Sequence, residues 1–194
     1  MSEKVSSRWL WAAGAFMAAA ALFLFVVPKG GKVFSAEKNK YKSGEVDIYN
    51  PVSGKVEKVS RIILNEEEWK KRLPPDRCYI LRKKGTERPF GNEYEKNKQK
   101  GIYHCAACDT ALFRSDAKFD SGTGWPSFWE PIAPENVVFE EDFSLGGKRV
   151  EVLCARCHGH LGHIFDDGPP PTGMRYCMNS GAMNFVPEKG AAVS

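Results

Sequence analysis

Residues 136–157 read NVVFEEDFSLGGKRVEVLCARC. Two β-rich runs, 136–140 and 149–153, flank Ser144-Leu145-Gly146-Gly147, a turn sequence typical of a hairpin. The second run leads directly into Cys154-Ala155-Arg156-Cys157. This stretch therefore predicts paired antiparallel strands with two closely spaced cysteines at the end of one of them.

The rest of the fold is predicted from weaker signals. Met174 to Asn179 has the composition of a further strand, after a proline-rich turn. Residues 65–73 form a short helix pattern with Asn65 as N-cap, and Pro74-Pro75 is expected to end it. We predict a mainly β domain with short helices.

Composition limits the class of protein. The chain has 194 residues, 42% hydrophobic and 27% charged, which suits one globular domain with an appendage and excludes a wholly disordered or collagen-like chain. The net charge of +4, from 28 basic and 24 acidic residues, is too small to indicate nucleic acid. We expect a monomer with no nucleic-acid partner.

The N-terminal region carries an apolar run. Residues 9–27 contain no charged side chain and, as a helix, cross roughly 28 Å, close to a bilayer core. We predict a transmembrane anchor here, after a short tail (1–8) and before a tether (28–60). A cleaved signal peptide is the alternative, although Phe34-Ser35-Ala36 makes a poor cleavage site.

The orientation of this segment is set by opposing signals. Lysines after the run outnumber the basic residues before it, which favours a cytoplasmic domain. A lone apolar segment behind a short N-terminal tail more often exports the domain on its C-terminal side. We therefore expect a membrane-anchored protein with an extracytoplasmic, periplasmic domain.

Four cysteines form two Cys-x-x-Cys pairs, Cys105 with Cys108 and Cys154 with Cys157. Two such turns complete a closed tetrahedral site, which predicts structural Zn²⁺. Two disulfides are the alternative in an exported domain. A thioredoxin-like redox pair is a further one, but neither pair begins a helix in a βαβ unit.

Cys177 lies in Arg175-Tyr176-Cys177-Met178-Asn179. If this is a strand, Arg175, Cys177 and Asn179 share one face, and the other two side chains face the core. A guanidinium beside a thiol favours the nucleophilic thiolate. A small buried core residue is the alternative for a lone cysteine.

Two histidines occur in His160-Leu161-Gly162-His163, where Gly162 lets the backbone turn so that both rings converge. A protonated imidazole donates a proton near neutral pH. We expect Asp166 and Asp167, which follow closely, to orient it.

An aromatic loop completes the candidate site. Residues 121–129 combine two glycines, a proline and three aromatics, including Trp125 and Phe128. Such a wall suits a small apolar group, for example an S-methyl against an indole. Core packing is the alternative for these rings.

Taken together, these motifs closely resemble the B-type methionine sulfoxide reductases, the peptide-methionine (R)-S-oxide reductases. The motifs that carry the resemblance, besides the two cysteine pairs, are Ser-Gly-x-Gly-Trp-Pro-Ser-Phe at 121–128, His-Leu-Gly-His-Ile-Phe-Asp-Asp-Gly-Pro at 160–169 and Arg-Tyr-Cys-Met-Asn-Ser at 175–180. The resemblance implies a catalytic domain over 61–188, followed by a short tail (189–194).

The resemblance also implies a fold and a reaction. The fold is two antiparallel sheets with zinc held by four cysteines, and the substrate is methionine-R-sulfoxide in oxidised proteins. Cys177 attacks the sulfoxide sulfur, and His163, with His160, supplies a proton to the oxygen. Asn179, Arg175 and Asp167 organise the polar side of the pocket, while Trp125 packs on the methyl group. Cys177 is left as a sulfenic acid that a thiol must reduce.

One position departs from a common pattern of the family. Many members carry a recycling cysteine at the third position of the Ser-Gly-x-Gly-Trp-Pro loop, where this chain has Thr123. Cys78 is the remaining thiol, and we predict that it reaches Cys177 from a mobile segment near Pro74-Pro75 to form a disulfide, which a thioredoxin-like reductant reopens. The alternative is a buried, inert Cys78 and direct reduction of the sulfenic acid by an external thiol.

Two other functions compete with the reductase. A membrane-tethered zinc binding module would tolerate loss of Cys177. A general disulfide oxidoreductase would act without methionine sulfoxide.

Overall fold

The computed structural model describes residues 44–188. The predicted membrane segment (9–27) and both predicted tails lie outside these residues. Within 44–188 no helix is both long and apolar enough to cross a bilayer.

Part of the predicted tether (28–60) is folded. Strands β1 (Glu45–Asn50) and β2 (Lys55–Ser60) pair as an antiparallel hairpin. The buried carboxamide of Asn136 accepts a hydrogen bond from Tyr49 N (2.7 Å) and donates to Tyr49 O (2.9 Å) and Ala111 O (2.7 Å). The hairpin is thus fixed to the domain by a residue distant in sequence, which local composition does not indicate.

Two helices follow the hairpin. Helix α1 (Glu66–Arg72) begins at Asn65, whose side chain forms the predicted cap as a full capping box with Glu68. Helix α2 (Pro75–Lys83) was not predicted. The prolines that end α1 also begin α2, because Pro75 occupies the first helical position, where proline is favoured.

Two antiparallel sheets make up most of the domain, as predicted. The six-stranded sheet has the order β5 (Lys118–Phe119), β6 (Ser127–Phe128), β10 (Arg175–Met178), β9 (His160–Phe165), β8 (Arg149–Cys154) and β7 (Val137–Asp142). The three-stranded sheet has the order β11 (Met183–Pro187), β3 (Gly101–Cys105) and β4 (Ala111–Arg114). The predicted hairpin is β7–β8, which pairs from Val137 with Cys154 to Asp142 with Arg149.

The main core lies where these two sheets meet. Tyr103 and Phe113 of the three-stranded sheet contact Phe128 of the six-stranded sheet, at ring-centroid distances of 5.0 and 4.4 Å. Phe113 also contacts Tyr176 at 5.8 Å. Tyr176 and Met178 are therefore the core face of β10, as predicted from the period of two.

The opposite face of the six-stranded sheet is polar. Directly paired residues in adjacent strands point to the same face. The register places one row across four strands, in the order Glu151, His163, Cys177 and Ser127. The sheet thus separates a hydrophobic core on one side from a line of chemically active side chains on the other.

Candidate active site

Cys177 lies at the centre of this row. It is the partly exposed position of β10, between buried Tyr176 and Met178, and its Cα partners are His163 on one side and Ser127 on the other. Side chains of directly paired residues have Cβ atoms about 4.5–5.5 Å apart. The register therefore places an imidazole and a hydroxyl beside an accessible thiol.

His163 is held by a carboxylate that has no local signal in the sequence, Asp142. Its Nε2 donates to Asp142 Oδ2 (2.7 Å), and the same oxygen accepts from Arg149 (2.5 Å). Although burial opposes it, hydrogen bonds from Ser144, His163 and Arg149 hold the pKa of Asp142 well below its usual range. Burial lowers the pKa of His163, and Asp142 only partly opposes this. Burial therefore prevails, and the ring favours its neutral form.

His160 reaches the same face through an irregularity in β9. Residues three apart in a regular strand point to opposite faces. The β8–β9 register shifts between Val152 and Leu153, leaving Leu161 as the extra residue, so His160 turns toward His163 at a centroid distance of 5.4 Å. The predicted convergence of the two rings is confirmed.

His160 is oriented by Glu151. Its Nδ1 donates to Glu151 Oε1 (2.6 Å), and Lys84 donates to Oε2 (2.5 Å). Glu151 is 1% exposed. Burial raises the pKa of this carboxyl, but its bonds to His160 and Lys84 outweigh that effect and hold the pKa below its usual value. Orientation of the two imidazoles thus comes from Asp142 and Glu151, and the prediction that Asp166 and Asp167 orient them is wrong.

Asp167 instead pairs with Arg175. The guanidinium Nε and NH2 each donate to one carboxylate oxygen at 2.8 Å. Burial raises the pKa of the Cys177 thiol, while Arg175 and the Thr123 hydroxyl lower it to a smaller extent. Arg175 therefore acts in the predicted direction, but burial prevails and the resting group is a thiol.

Asn179 follows the end of β10 and is buried. Its Oδ1 accepts from the Thr86 hydroxyl (3.0 Å), and its Nδ2 donates to Leu161 O (3.1 Å). The side chain links the segment after α2 to the bulge that positions His160.

The aromatic loop divides between surface and core. Trp125 is partly exposed, and its Nε1 donates to Glu87 O (3.2 Å), which fixes the indole in one orientation. Phe128 is 0% exposed and stacks on Phe113. Because side chains alternate along β6, Ser127 takes the active face and Phe128 the core, so the predicted substrate contact of Phe128 is wrong.

The four cysteines of the two knuckles converge. Their sulfur atoms lie within 4.8 Å of one another, with Cys105 to Cys157 at 3.6 Å and Cys108 to Cys154 at 3.5 Å. Thiolates around one tetrahedral ion at about 2.3 Å stand about 3.8 Å apart, whereas a disulfide requires about 2.0 Å. The cluster fits a metal ion, and the disulfide alternative does not match these distances.

Cys78 belongs to a helix, whereas the sequence predicts a mobile segment near Pro74-Pro75. It lies within α2 and is 7% exposed, and its backbone N donates to Pro74 O (2.8 Å). The thiol would have to leave the core before another sulfur could reach it.

Comparison with known proteins gives a consistent result. Residues 73–187 match the family model described as the SelR domain. Peptide methionine sulfoxide reductase MsrB of Methanosarcina barkeri is 56% identical over 125 residues, covering 64% of this chain and 88% of the relative. The Bradyrhizobium diazoefficiens protein of the same name is 54% identical over 128 residues, covering 66% and 92%. Peptide methionine sulfoxide reductase B1, chloroplastic, of Arabidopsis thaliana is 50% identical over 159 residues, covering 81% and 68%.

Proposed function

The chain belongs to the SelR-domain family of B-type peptide methionine sulfoxide reductases, and we propose from this premise how its own residues act. It is a peptide-methionine (R)-S-oxide reductase that converts methionine-R-sulfoxide to methionine. The observation that carries the mechanism is the row in which partly exposed Cys177 stands directly between His163 and Ser127.

In the proposed first step, the sulfur of Cys177 attacks the substrate sulfoxide. The sulfur–oxygen bond of the substrate breaks, and a new sulfur–oxygen bond forms on Cys177. The substrate sulfur is reduced to the thioether, and Cys177 is oxidised to a sulfenic acid. A thiol plus a sulfoxide thus gives a thioether plus a sulfenic acid, with no atom left over.

The proton of this reaction passes through His163. Asp142 is an ionised carboxylate that only accepts, so the proton of the neutral ring lies on Nε2 and Nδ1 keeps a lone pair. The ring therefore accepts the proton of the Cys177 thiol and then donates it to the sulfoxide oxygen, directly or through water. His160, held by Glu151, supports the position of the ring.

The remaining side chains bind and orient the substrate. Trp125 offers an indole face to the S-methyl group, an interaction worth about 0.3–1.5 kcal/mol. The Arg175–Asp167 pair and Asn179 form the polar side of the pocket, which is supported by their positions at the two ends of β10. An oxidised methionine within a protein is the proposed substrate.

We propose that the four-cysteine cluster binds Zn²⁺ in a structural role. Four thiolates fill every tetrahedral position, so the ion would hold the ends of β3 and β8 together without contributing to sulfoxide chemistry.

Regeneration requires a thiol donor, and we propose a thioredoxin-like protein for that role. The burial of Cys78 within α2 supports direct attack of the donor on the Cys177 sulfenic acid over a Cys78–Cys177 disulfide. The variant Cys78→Ser separates the two routes. Undiminished thioredoxin-driven turnover supports direct attack, and a strong loss with intact dithiothreitol-driven turnover would restore the disulfide route.

We also propose that residues 9–27 anchor the enzyme in a membrane, with the catalytic domain outside the cytoplasm. The support is the length of the uncharged run. Carbonate-resistant membrane association of the full chain, lost on deletion of 9–27, with protease access from the periplasmic side, is the expected result.

The activity itself is tested with dabsylated R- and S-methionine sulfoxide and dithiothreitol. We expect turnover of the R epimer alone, and none by Cys177→Ser with its metal content unchanged. Turnover of neither epimer by fully reduced, metal-loaded protein would contradict the proposed function.

A further inference from the structure

Three hydroxyl groups connect to one another beside Cys177. Ser127 is the Cα partner of Cys177 across β6–β10 and is 0% exposed. Ser121 Oγ lies 2.8 Å from Ser127 Oγ and 2.8 Å from Thr123 Oγ1. Burial raises the pKa of the Cys177 thiol, and hydrogen bonding with Thr123 and with Arg175 lowers it, so the Thr123 hydroxyl is close to the sulfur. The proton transfer through His163 does not use this chain of hydroxyls.

Each hydroxyl has one hydrogen, and this fixes the direction of the bonds. Ser127 donates to Trp125 O (3.2 Å), because a carbonyl oxygen only accepts. Ser121 must then donate to Ser127, and Thr123 must donate to Ser121. No hydrogen of Thr123 is left for the sulfur, so in the resting enzyme the thiol of Cys177 donates to Thr123, and it turns its hydrogen to His163 when the proton is transferred. The far end of the chain thus sets the arrangement at the reacting sulfur.

A thiolate reverses this arrangement. A sulfur that has lost its proton only accepts, so Thr123 has to turn its hydrogen toward Cys177. Ser121 is then able to donate to Thr123, and Ser127 to Ser121, at distances already within hydrogen-bond range. The reversal requires only rotation of hydroxyl hydrogens: Ser127 gives up its bond to Trp125 O, and every heavy atom stays in place.

We propose that Thr123, backed by Ser121 and Ser127, is a further catalytic group of this enzyme, a reversible hydrogen-bond partner that accepts from the Cys177 thiol and donates to its thiolate. This inference rests on the proposed function, because it deepens the chemistry of the same sulfur. Thr123 occupies the loop position where many members of the family carry a recycling cysteine, and its hydroxyl cannot form a disulfide. The protein instead gives the Cys177 sulfur a hydrogen-bond partner that suits both the thiol and the thiolate.

Charged and titratable groups that face the same sulfur stay constant in the test. Arg175 lies two residues before Cys177 on β10, His163 faces it from β9, and Asp167 follows β9 and pairs with Arg175. Removal of one uncharged hydroxyl leaves these three groups in place, so a change in the thiol reports on the hydroxyl.

The test compares Thr123→Val, which keeps the shape and removes the hydroxyl, with Thr123→Ser, which keeps the hydroxyl. The rate of iodoacetamide alkylation at Cys177 is followed by mass spectrometry as a function of pH, on metal-loaded full chain. We expect Thr123→Val to react about tenfold more slowly below the thiol pKa, and Thr123→Ser to stay within about twofold of wild type. Equal rates for all three proteins would overturn the inference.

Ser127→Ala tests the chain beyond Thr123. In the thiol state the Ser127 hydroxyl holds Ser121 and Thr123 with their hydrogens turned away from the sulfur, so its removal frees Thr123 to donate to Cys177, and a faster alkylation than that of wild type is the expected result. An unchanged rate of alkylation would show that Thr123 acts alone, and it would refute the role of Ser121 and Ser127. Wild-type turnover of methionine-R-sulfoxide is measured in parallel. Absence of turnover contradicts the proposed function, whereas turnover with an unaltered Thr123→Val profile contradicts only this inference.

Discussion

Gly162 determines how closely β9 approaches β10, and Gly162→Ala is the sharpest perturbation of the site. An added Cβ would collide with the carbonyl oxygen of Cys177 and lie 2.9 Å from Met178 Cα. Both contacts are to backbone, so no side-chain rotation relieves them. The two strands must separate beside the pair Cys177 and His163.

The size of the effect follows from this geometry. Ordinary contacts of a Cβ atom begin near 3.4 Å, so the strands must part by an appreciable fraction of an ångström or more. Overpacking of this kind costs about 1–3 kcal/mol of folding free energy. Misplacement of reacting groups by about 1 Å costs on the order of 100-fold in rate. We expect kcat/KM for methionine-R-sulfoxide to fall about 100-fold at a temperature where the variant is still folded.

The matched control is Gly147→Ala in the β7–β8 turn. Gly147 has no atom within 4 Å of its added Cβ and no left-handed backbone, so we expect wild-type stability and activity. Thermal melts and metal content establish the folded fraction of both variants before the kinetics are compared. A folded Gly162→Ala protein with wild-type kcat/KM would refute the argument that this close approach sets the site.

Three further predictions concern the Asp142–His163 pair, the four-cysteine cluster and the β1–β2 hairpin. Burial lowers the pKa of His163, and Asp142 raises it in part. Asp142→Asn should therefore move the acid limb of the kcat/KM pH profile to lower pH and reduce its plateau about tenfold or more. An acid limb that does not move would show that the Asp142–His163 contact does not control the reaction. Cys154→Ser removes one of four sulfur ligands, so we expect loss of bound zinc in a chelator assay and a lower melting temperature; retained zinc and an unaltered melt would refute a structural site. Asn136→Ala leaves two carbonyls and one N–H unpaired, so urea unfolding should show a loss of about 3 kcal/mol; a loss below about 1 kcal/mol would show that the hairpin is held by other contacts.

Turn and capping residues in the sequence predict the elements that form between residues close together in the chain. The β7–β8 hairpin and the cap at Asn65 follow from turn and capping residues, and both are observed. The start of α2 was missed because Pro75 ends one helix and begins the next. The sequence places Phe128 against the substrate because the two-residue strand β6 has no recognisable pattern. The pairing of β6 with β10 sets Ser127 beside Cys177, which leaves Phe128 on the core side.

Residues that act across strands carried little signal. Asp142 and His163 are 21 residues apart and meet because β7, β8 and β9 are adjacent. Glu151, in contrast, is a carboxylate inside an otherwise apolar strand core, Val150 to Leu153, and that anomaly was visible in the sequence. Prediction from composition and spacing identifies the reacting groups more readily than the groups that orient them.

The central claim is that the Cys177 sulfur takes the oxygen atom of the substrate. The most direct measurement is a single turnover of oxygen-18-labelled methionine-R-sulfoxide by Cys78→Ser protein without reductant, with the sulfenic acid trapped by a reagent that retains its oxygen. We predict one methionine per protein molecule and the label on the peptide that contains Cys177. Methionine formed without label on that peptide, or label on any other residue, would contradict the account.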